Sequence, residues 1–406
     1  MKKSVLTFLV MLLLSSMLSA QINLVGVANN QQTGKIDVVK WEALNPASVS
    51  VFPSMLDAYY FASSAFDSYN SNYYLTGISG DNSGLYSFNT LTNQENLGSA
   101  SLYTNISEFD MSTGIMYNLK MLSDDSISVF AYNINTNQDS LLGVIYEPGV
   151  NGIVVDAIGF DANNGILYYV GFSSDPALCL YAIPVRESQF SYTKTNLVTN
   201  APYNNIQSVN FDNVNERIFA RNATFDETGT YISSFIVEID KNTGDIINLA
   251  DLAEFPYFVG GASSFDQNSG TLMLVGIDAS NMVKMIAFNS SDNTYVSGFV
   301  PGNVSEIVCD NSVFVQNNYI LTGVKAEAAL SFDVYPNPVT ELLTIDYPTT
   351  EKLNIQLISS EGKRVLSQDF ASGERHVMNV ADLLPGLYVV KLLSGGNTAT
   401  KKIVFR

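Results

Sequence analysis

From Ser63 onward the apolar and polar positions of the chain fall into a recurring phrase: "SSAFDSYNSNYYLTG", "SEFDMSTGIMYNLK", "AIGFDANNGILYYVG", "SVNFDNVNERIFAR", "SSFDQNSGTLMLVG" and, degenerately, "EIVCDNSVFVQNNYILTG". Each copy is a short apolar run ending in Asp, then a turn rich in Asn, Ser and Gly, then a run of β-branched and aromatic residues. That order predicts a β-hairpin. The anchoring aspartates are Asp67, Asp110, Asp161, Asp212, Asp266 and Asp310, spaced by 43, 51, 51, 54 and 44 residues. Each copy runs on into a more polar second hairpin, such as "LYSFNTLTNQENLG" or "KMIAFNSSDNTYVSGFV".

Four strands per period of roughly 40 to 50 residues, with no helical periodicity, predict a β-propeller. The length available gives six blades over residues 21–324, with five or seven left open by "NLVGVANN" near the amino terminus. The last copy runs out after its inner strands, whereas "GKIDVVKWEALNPASVSVF" (Gly34–Phe52) reads as an outer hairpin with no phrase of its own. The two are expected to share a blade, closing the ring and removing the free sheet edges that invite aggregation.

Beyond a small, lightly charged stretch at 325–331, which reads as an exposed linker, residues 332–406 alternate again in five or more short runs. The expected fold is therefore all-β, a propeller followed by a small β-sandwich. At the other end, Lys2 and Lys3, the apolar run Val5–Leu14 and the small residues up to Ala20 have the layout of a secretory signal peptide over 1–20. Nothing after it has about 18 consecutive apolar residues, so no transmembrane span is expected.

Charge divides the chain in the same place. Residues 21–330 carry 31 acids and 10 bases, whereas 331–406 carry 8 of each. So negative a surface repels phosphate backbones and excludes nucleic acid as a natural partner, leaving cations, proteins or neutral polymers such as glycans. Cys179 and Cys309 sit in apolar runs and read as buried free thiols. The single histidine, His376, lies in the tail and reads as a surface strand residue, so the propeller has no imidazole to activate a Ser or Cys or to bind a metal. Catalysis there would use carboxylates, Tyr, Lys or Arg.

In a propeller, loops after second strands share a face with the connections between blades. The former carry Asp81, Asp125, Asp175 and Asp278; the latter carry Tyr59, Tyr103, Tyr146, Tyr203 and Tyr257. Rings that stack on apolar sugar faces beside carboxylates that accept hydroxyl bonds suit a glycan, and also a peptide. These nine residues are the expected ligand-binding set. Paired carboxylates at the same mouth would alternatively serve a glycoside hydrolase or lyase. The turns "DANNG", "DQNSG" and "DMSTG" resemble calcium loops but lack the later bidentate Glu, and read as backbone-capped turns, so no cofactor is expected and Ca2+ is only the alternative.

The tail carries a more specific signal. Tyr335-Pro336-Asn337-Pro338 opens it, Gly362 lies in "SSEGKRV", Pro385-Gly386-Leu387-Tyr388 lies in "LPGLYVVKL", and Lys401 and Lys402 begin the terminal "KKIVFR". In this order the segment resembles the type A C-terminal sorting domain of the Bacteroidetes type IX secretion system. The resemblance implies export through the periplasm, recognition by the outer-membrane translocon, removal of the tail by the processing machinery, and a secreted or cell-surface product.

Overall fold

The computed structural model describes residues 21–406 except 58–60, 68–69, 80–81, 98–105, 124–125, 147–152, 155, 174–177, 200, 202, 313, 315–331, 350–351, 360–363, 382 and 395–396. The signal-peptide segment 1–20 and the linker 325–331 lie outside the described residues. The chain divides into two compact units, Met1–Gly323 and Val324–Arg406.

Among the described residues the first unit contains six four-stranded antiparallel sheets, and five of them are contiguous in sequence. Their first strands are Phe61–Asp67, Ile106–Asp110, Ile158–Asp161, Tyr203–Asp212 and Tyr257–Asp266. The sixth sheet takes its first strand, Val304–Cys309, from the end of the unit and the other three, Asn23–Asn30, Lys35–Glu42 and Ser50–Asp57, from its start. First strands of successive sheets touch in order, and Val304–Cys309 returns to Phe61–Asp67. The unit is therefore a closed, β-propeller-like ring.

Closure follows the expected route with one correction. The outer hairpin Gly34–Phe52 does join the last sheet, but "NLVGVANN" lies between it and Val304–Cys309 as the second strand. The reason is burial on both sides: Val25 and Val27 pack with Phe66, Tyr73 and Phe88 of the first sheet, while Leu24 and Ala28 pack with Ala262, Met273 and Met285 of the fifth. Only a strand apolar on both faces fits there. Gly26 is also needed, because a Cβ at that position would run into the Glu306 carbonyl.

Every neighbouring pair of sheets shares such a cluster. Tyr117 and Ile127 meet Tyr169 and Cys179, for example, and Phe219 meets Phe265, the two rings stacking at 5.6 Å. Cys179 and Cys309 are both buried thiols, and Cys179 donates to Asn196 Oδ1 at 3.3 Å.

The anchoring aspartates hold their own turns. Asp161 accepts from Asn164 N at 2.9 Å, Asp212 from Val214 N at 2.9 Å, and Asp266 from Ser269 N at 2.9 Å. The residues after Asp212, Asp266 and Asp310 then clamp the previous sheet. Gln267 donates to Phe211 O at 2.7 Å and accepts from Asn213 N at 2.8 Å; Asn213 treats Phe160 O and Ala162 N the same way, as does Asn311 with Phe265 O and Gln267 N. At Ala162 the series stops, and Arg186 of the third sheet bonds Asp110 of the second instead, at 2.7 Å.

The second unit has a three-stranded sheet (Asp333–Tyr335, Leu342–Thr349, Gly373–Asn379) and a four-stranded one (Arg364–Phe370, Leu353–Ser359, Gly386–Ser394, Asn397–Phe405). One apolar cluster joins them, with Leu343, Ile345 and Met378 from the first and Leu357, Val390 and Ile403 from the second. His376 is buried here rather than at the surface, its Nε2 3.2 Å from Tyr347 O and its ring edge-on to Phe370.

Truncating a clamp leaves buried backbone groups without partners. Gln267→Ala is expected to cost about 2 kcal/mol in urea unfolding, and an unchanged midpoint would show that the clamps are incidental.

Candidate functional site

Where the six first strands converge there is a cavity of about 170 Å³, lined among others by Ser63, Ser64, Ser107, Glu108, Asp156, Asn210, Ser263 and Glu306. It extends to Met111, Asn213, Gln267 and Asn311 at the turns that follow the first strands.

Asp156 is its hub. Just before the third sheet, it accepts from Ser208 Oγ of the fourth sheet and Ser263 Oγ of the fifth, both at 2.9 Å, while its carbonyl takes Val209 N at 2.9 Å. The backbone bends to reach it: Asp156, Ser208 and Gly261 have φ of 59°, 54° and 85°. Such a conformation costs a non-glycine residue about 1 kcal/mol. At Gly261 a side chain would also collide with the Glu306 carboxylate.

Three acids thus share the cavity, and burial drives their titration. Burial, then the charge of Asp156, pushes Glu108 up to about 8. Burial raises Asp156 to about 6 despite the opposing bonds from Ser208 and Ser263 and the nearby Arg221 charge. Glu306 is held well above the usual carboxylate range, first by burial and then by Asp156. Arg221, brought down to about 10 by its own burial, stays cationic; it lies 4.5 Å over the Phe258 ring and donates to Gln207 at 2.7 Å.

Sequence reasoning passed over all four of these residues. The signal was present in the phrase itself: Glu108 stands where the other copies have Ala, Gly, Asn, Ser or Val, and Glu306 where they have Ser, Ala or Ile.

Of the residues expected from sequence, Tyr59, Tyr103, Asp81, Asp125 and Asp175 lie outside the described residues. Tyr146, Tyr203 and Tyr257 are 72%, 56% and 63% exposed. All three sit at the strand ends opposite the aspartate turns: Tyr203 pairs with Phe225, Tyr257 with Ile277, and Tyr146 with Ser126. Asp278 follows Ile277 at that end but is engaged, accepting from Ser280 N and Met282 N and pairing with Lys284 at 2.8 Å. The Lys284 bond holds its carboxyl below the usual range. The same end of the fourth sheet has a neutral cleft of about 290 Å³, lined by Asn204, Asn222, Thr224, Ser233 and Asn248 with Val198 and Ile232. The tyrosines and the carboxylate cavity are therefore separate features.

In the tail, the motif pieces converge on the last strand. Asn337 Oδ1 accepts from Val404 N at 3.0 Å, Val339 exchanges bonds with Val404 and Arg406, and Gly386, Leu387 and Tyr388 pair with Phe405, Val404 and Ile403. Tyr335 donates to Asp346 at 2.6 Å, beside Arg375; Lys401 bonds Phe332 O and Asp333; Lys402 is exposed. Pro336 and Pro338 occupy the connection between the strand ending at Tyr335 and Val339, Pro385 immediately precedes the strand that starts at Gly386, and Gly362 lies outside the described residues.

Residues 333–406 match the family described as the secretion system C-terminal sorting domain. The tail is a type IX sorting domain. The sorting domain sends the chain through the type IX secretion system to the cell surface or beyond, and among the described residues no helix is long and apolar enough to cross a membrane. No curated protein matches the chain. Among solved structures, TolB from Acinetobacter baumannii is similar at a TM-score of 0.54 and 10% identity, over 71% of this chain and 66% of that one. The chain thus spans just under two thirds of that structure's length, and the likeness is one of fold alone. Two others are a nidogen/laminin complex (TM-score 0.43, 12% identity, 72% and 98% covered) and YjhT (0.46, 11%, 69% and 98%).

The raised acids make stability fall with pH. A carboxyl whose folded pKa exceeds its unfolded value favours the fold while protonated, and that contribution is lost as pH climbs through the folded pKa. For Asp156 and Glu108 the loss spans roughly pH 4 to 8. Glu108→Gln is expected to flatten the upper part of this decline and gain on the order of 1 kcal/mol at pH 8.5; urea titrations with parallel pH profiles for both proteins would contradict it.

Proposed function

We propose that this is a secreted or surface-displayed binding protein. Its six sheets are the blades of a six-bladed propeller over 21–324, a signal peptide is removed after Ala20, and the linker 325–331 leads to a β-sandwich sorting domain over 332–406. The ligand, a glycan or a protein, is taken at the face that carries Tyr146, Tyr203 and Tyr257.

The observation that carries this reading is the exposure of those three rings at one end of their sheets, where nothing in the unit's core requires them. Large aromatic side chains left in water beside polar groups are the usual anchors of a binding surface. The neutral cleft by Asn204 and Asn222 favours a glycan, since amides and hydroxyls match sugar hydroxyls without demanding charge.

A second reading, a carbohydrate-active enzyme, draws on Glu108 and Asp156. Burial raises Glu108 further than Asp156, and two carboxyls whose surroundings push them apart in this way are what a general acid and base require.

A glycan array probed with the chain, followed by turnover assays on each hit, separates the two. Tyr203→Ala and Tyr257→Ala are expected to weaken binding about tenfold each with no product formed; indifference to both removes the tyrosine face as the site. Product formation abolished by Glu108→Gln would establish the enzyme instead.

A further inference from the structure

We infer that the cleft on the fourth sheet is a subsite for a neutral, N-acetylated sugar residue, whose acetamido N–H donates to Asn222 Oδ1 and whose methyl group lies on Val198, Ile232 and Phe235. This deepens the glycan reading above and rests on it.

Strand pairing puts the polar wall on one face of the sheet. Asn204 stands opposite Thr224, Thr224 opposite Ser233 and Asn222 opposite Phe235, and side chains two apart on a strand share a face. The second wall comes from the segment before the sheet, where Val198 N bonds Gly244 O at 2.8 Å beside the turn that leads into the outer strand.

The amides on this face are wired in one direction. The Ala201 carbonyl can only accept, so Asn204 turns its Nδ2 to it, at 3.0 Å. That leaves Asn204 Oδ1 toward Asn222, which answers with its Nδ2 at 3.1 Å. The series ends on Asn222 Oδ1, in a cleft residue only 5% exposed, and that oxygen has no hydrogen-bond partner among the described residues. The neighbouring hydroxyls of Thr224 and Ser233, 2.7 Å apart, bond each other instead. A buried acceptor without a donor costs free energy that a bound N–H or O–H recovers.

The apolar part of the wall selects the donor. Val198 and Ile232 are 50% and 55% exposed, and Phe235 faces Asn222 across the strands. A ring hydroxyl would satisfy Asn222 and leave these side chains in water. An acetamido group carries a donor and a methyl group together and serves both. Among the described residues no charged side chain lines the cleft, so an amine or a uronate would lose its hydration there without a counter-charge. A peptide also offers N–H donors beside apolar groups, but Thr199, Thr224, Ser233 and Asn248 add more polar groups than one peptide unit can pair with, and they match a ring of sugar hydroxyls. The 290 Å³ of the cleft is near the lower end of small-molecule sites, about 300 Å³, which suits one sugar residue. Tyr203 immediately precedes Asn204, so the cleft adjoins the tyrosine face at one strand end.

Ligand-observed NMR and calorimetry on the full chain would use methyl N-acetyl-β-glucosaminide, its galacto epimer, the two corresponding plain glycosides, methyl β-glucuronide and, for a peptide, N-acetyl-alanine-methylamide. The expected result is saturable millimolar binding of at least one N-acetylhexosaminide, with its plain glycoside, the glucuronide and the peptide amide weaker by about fivefold or more. Asn222→Leu removes the unpartnered acceptor at similar volume and is expected to weaken the N-acetylhexosaminide about tenfold. Ile232→Ser, which alters an exposed side chain, should narrow the gap between the N-acetylated and plain sugars, and it carries the test if Asn222→Leu fails to fold.

The inference falls if neither N-acetylhexosaminide binds, if the plain glycosides bind as well, if the peptide amide binds more tightly, or if the folded variants bind like the parent. Should Tyr203→Ala and Tyr257→Ala weaken binding to an arrayed glycan while Asn222→Leu leaves it intact, the tyrosine face stands and the cleft falls. An array on which no glycan is bound removes the glycan reading itself.

Discussion

The antiparallel pairing of Val304–Cys309 with Asn23–Asn30 is the constraint on which the first unit depends. It joins strands nearly three hundred residues apart, so its closure entropy is large and has to be recovered by what it buries. Leu24, Val25 and Val27 become inaccessible on formation of the sheet, as do Ile36, Val38 and Trp41 of its neighbour. Each such side chain contributes about 1.5–3 kcal/mol. Without the pairing, the fifth and first sheets would each expose an apolar face and the sixth would not exist. With it, Glu306 is carried into the cavity opposite Asp156, so the chemistry of the centre is a consequence of how the ring shuts.

That centre combines two things proteins seldom place together, a bent backbone and uncompensated acid. The left-handed turns at Asp156, Ser208 and Gly261 bring three sheets onto one carboxylate, and its bonds hold those turns in place. Glu108 and Glu306 gain nothing from this network and are penalised by it, since the Asp156 charge raises both. Retaining two such groups in a buried site is a cost to folding, and sites of this kind are where binding or proton transfer is commonly found.

Much of the fold was legible because it repeats. Period-two alternation located the strands, and the recurring Asp marked the turns that the aspartates do hold. The sorting motifs were readable for a different reason, because they are short and specific, and two of them, at Asn337 and at Gly386–Tyr388, bond the terminal strand that a third forms. The order of strands in the closing sheet was harder to read, since "NLVGVANN" is apolar on both faces and only its neighbours decide its position. The buried His376 was misread because alternation within one short strand does not say which face meets the second sheet.

The cavity was missed for a more basic reason. Glu108, Asp156, Arg221 and Glu306 come from different parts of the ring and from different positions of the phrase, and Asp156 is held by Ser208 and Ser263 at register shifts between Gln207 and Asn210 and between Phe258 and Ser263. A bulge leaves no dependable mark in sequence, whereas loop acids and tyrosines are conspicuous there. Asp278 illustrates the opposite error, an acid prominent in sequence whose oxygens are taken up by its own turn and by Lys284.

Closure can be tested through one residue the protein already has. Leu24 faces Cys309 in a pair that exchanges no hydrogen bonds, because Asp310 N reaches Asn23 O at the next position. Non-bonded pairs bring Cα atoms to about 4.5 Å, within disulfide range. Oxidised Leu24→Cys protein should therefore yield, on peptide mapping, a cross-link between positions 24 and 309 in the folded chain, while Cys179 stays a thiol. Folded, oxidised protein in which position 24 remains a thiol or pairs with position 179 would contradict the ring.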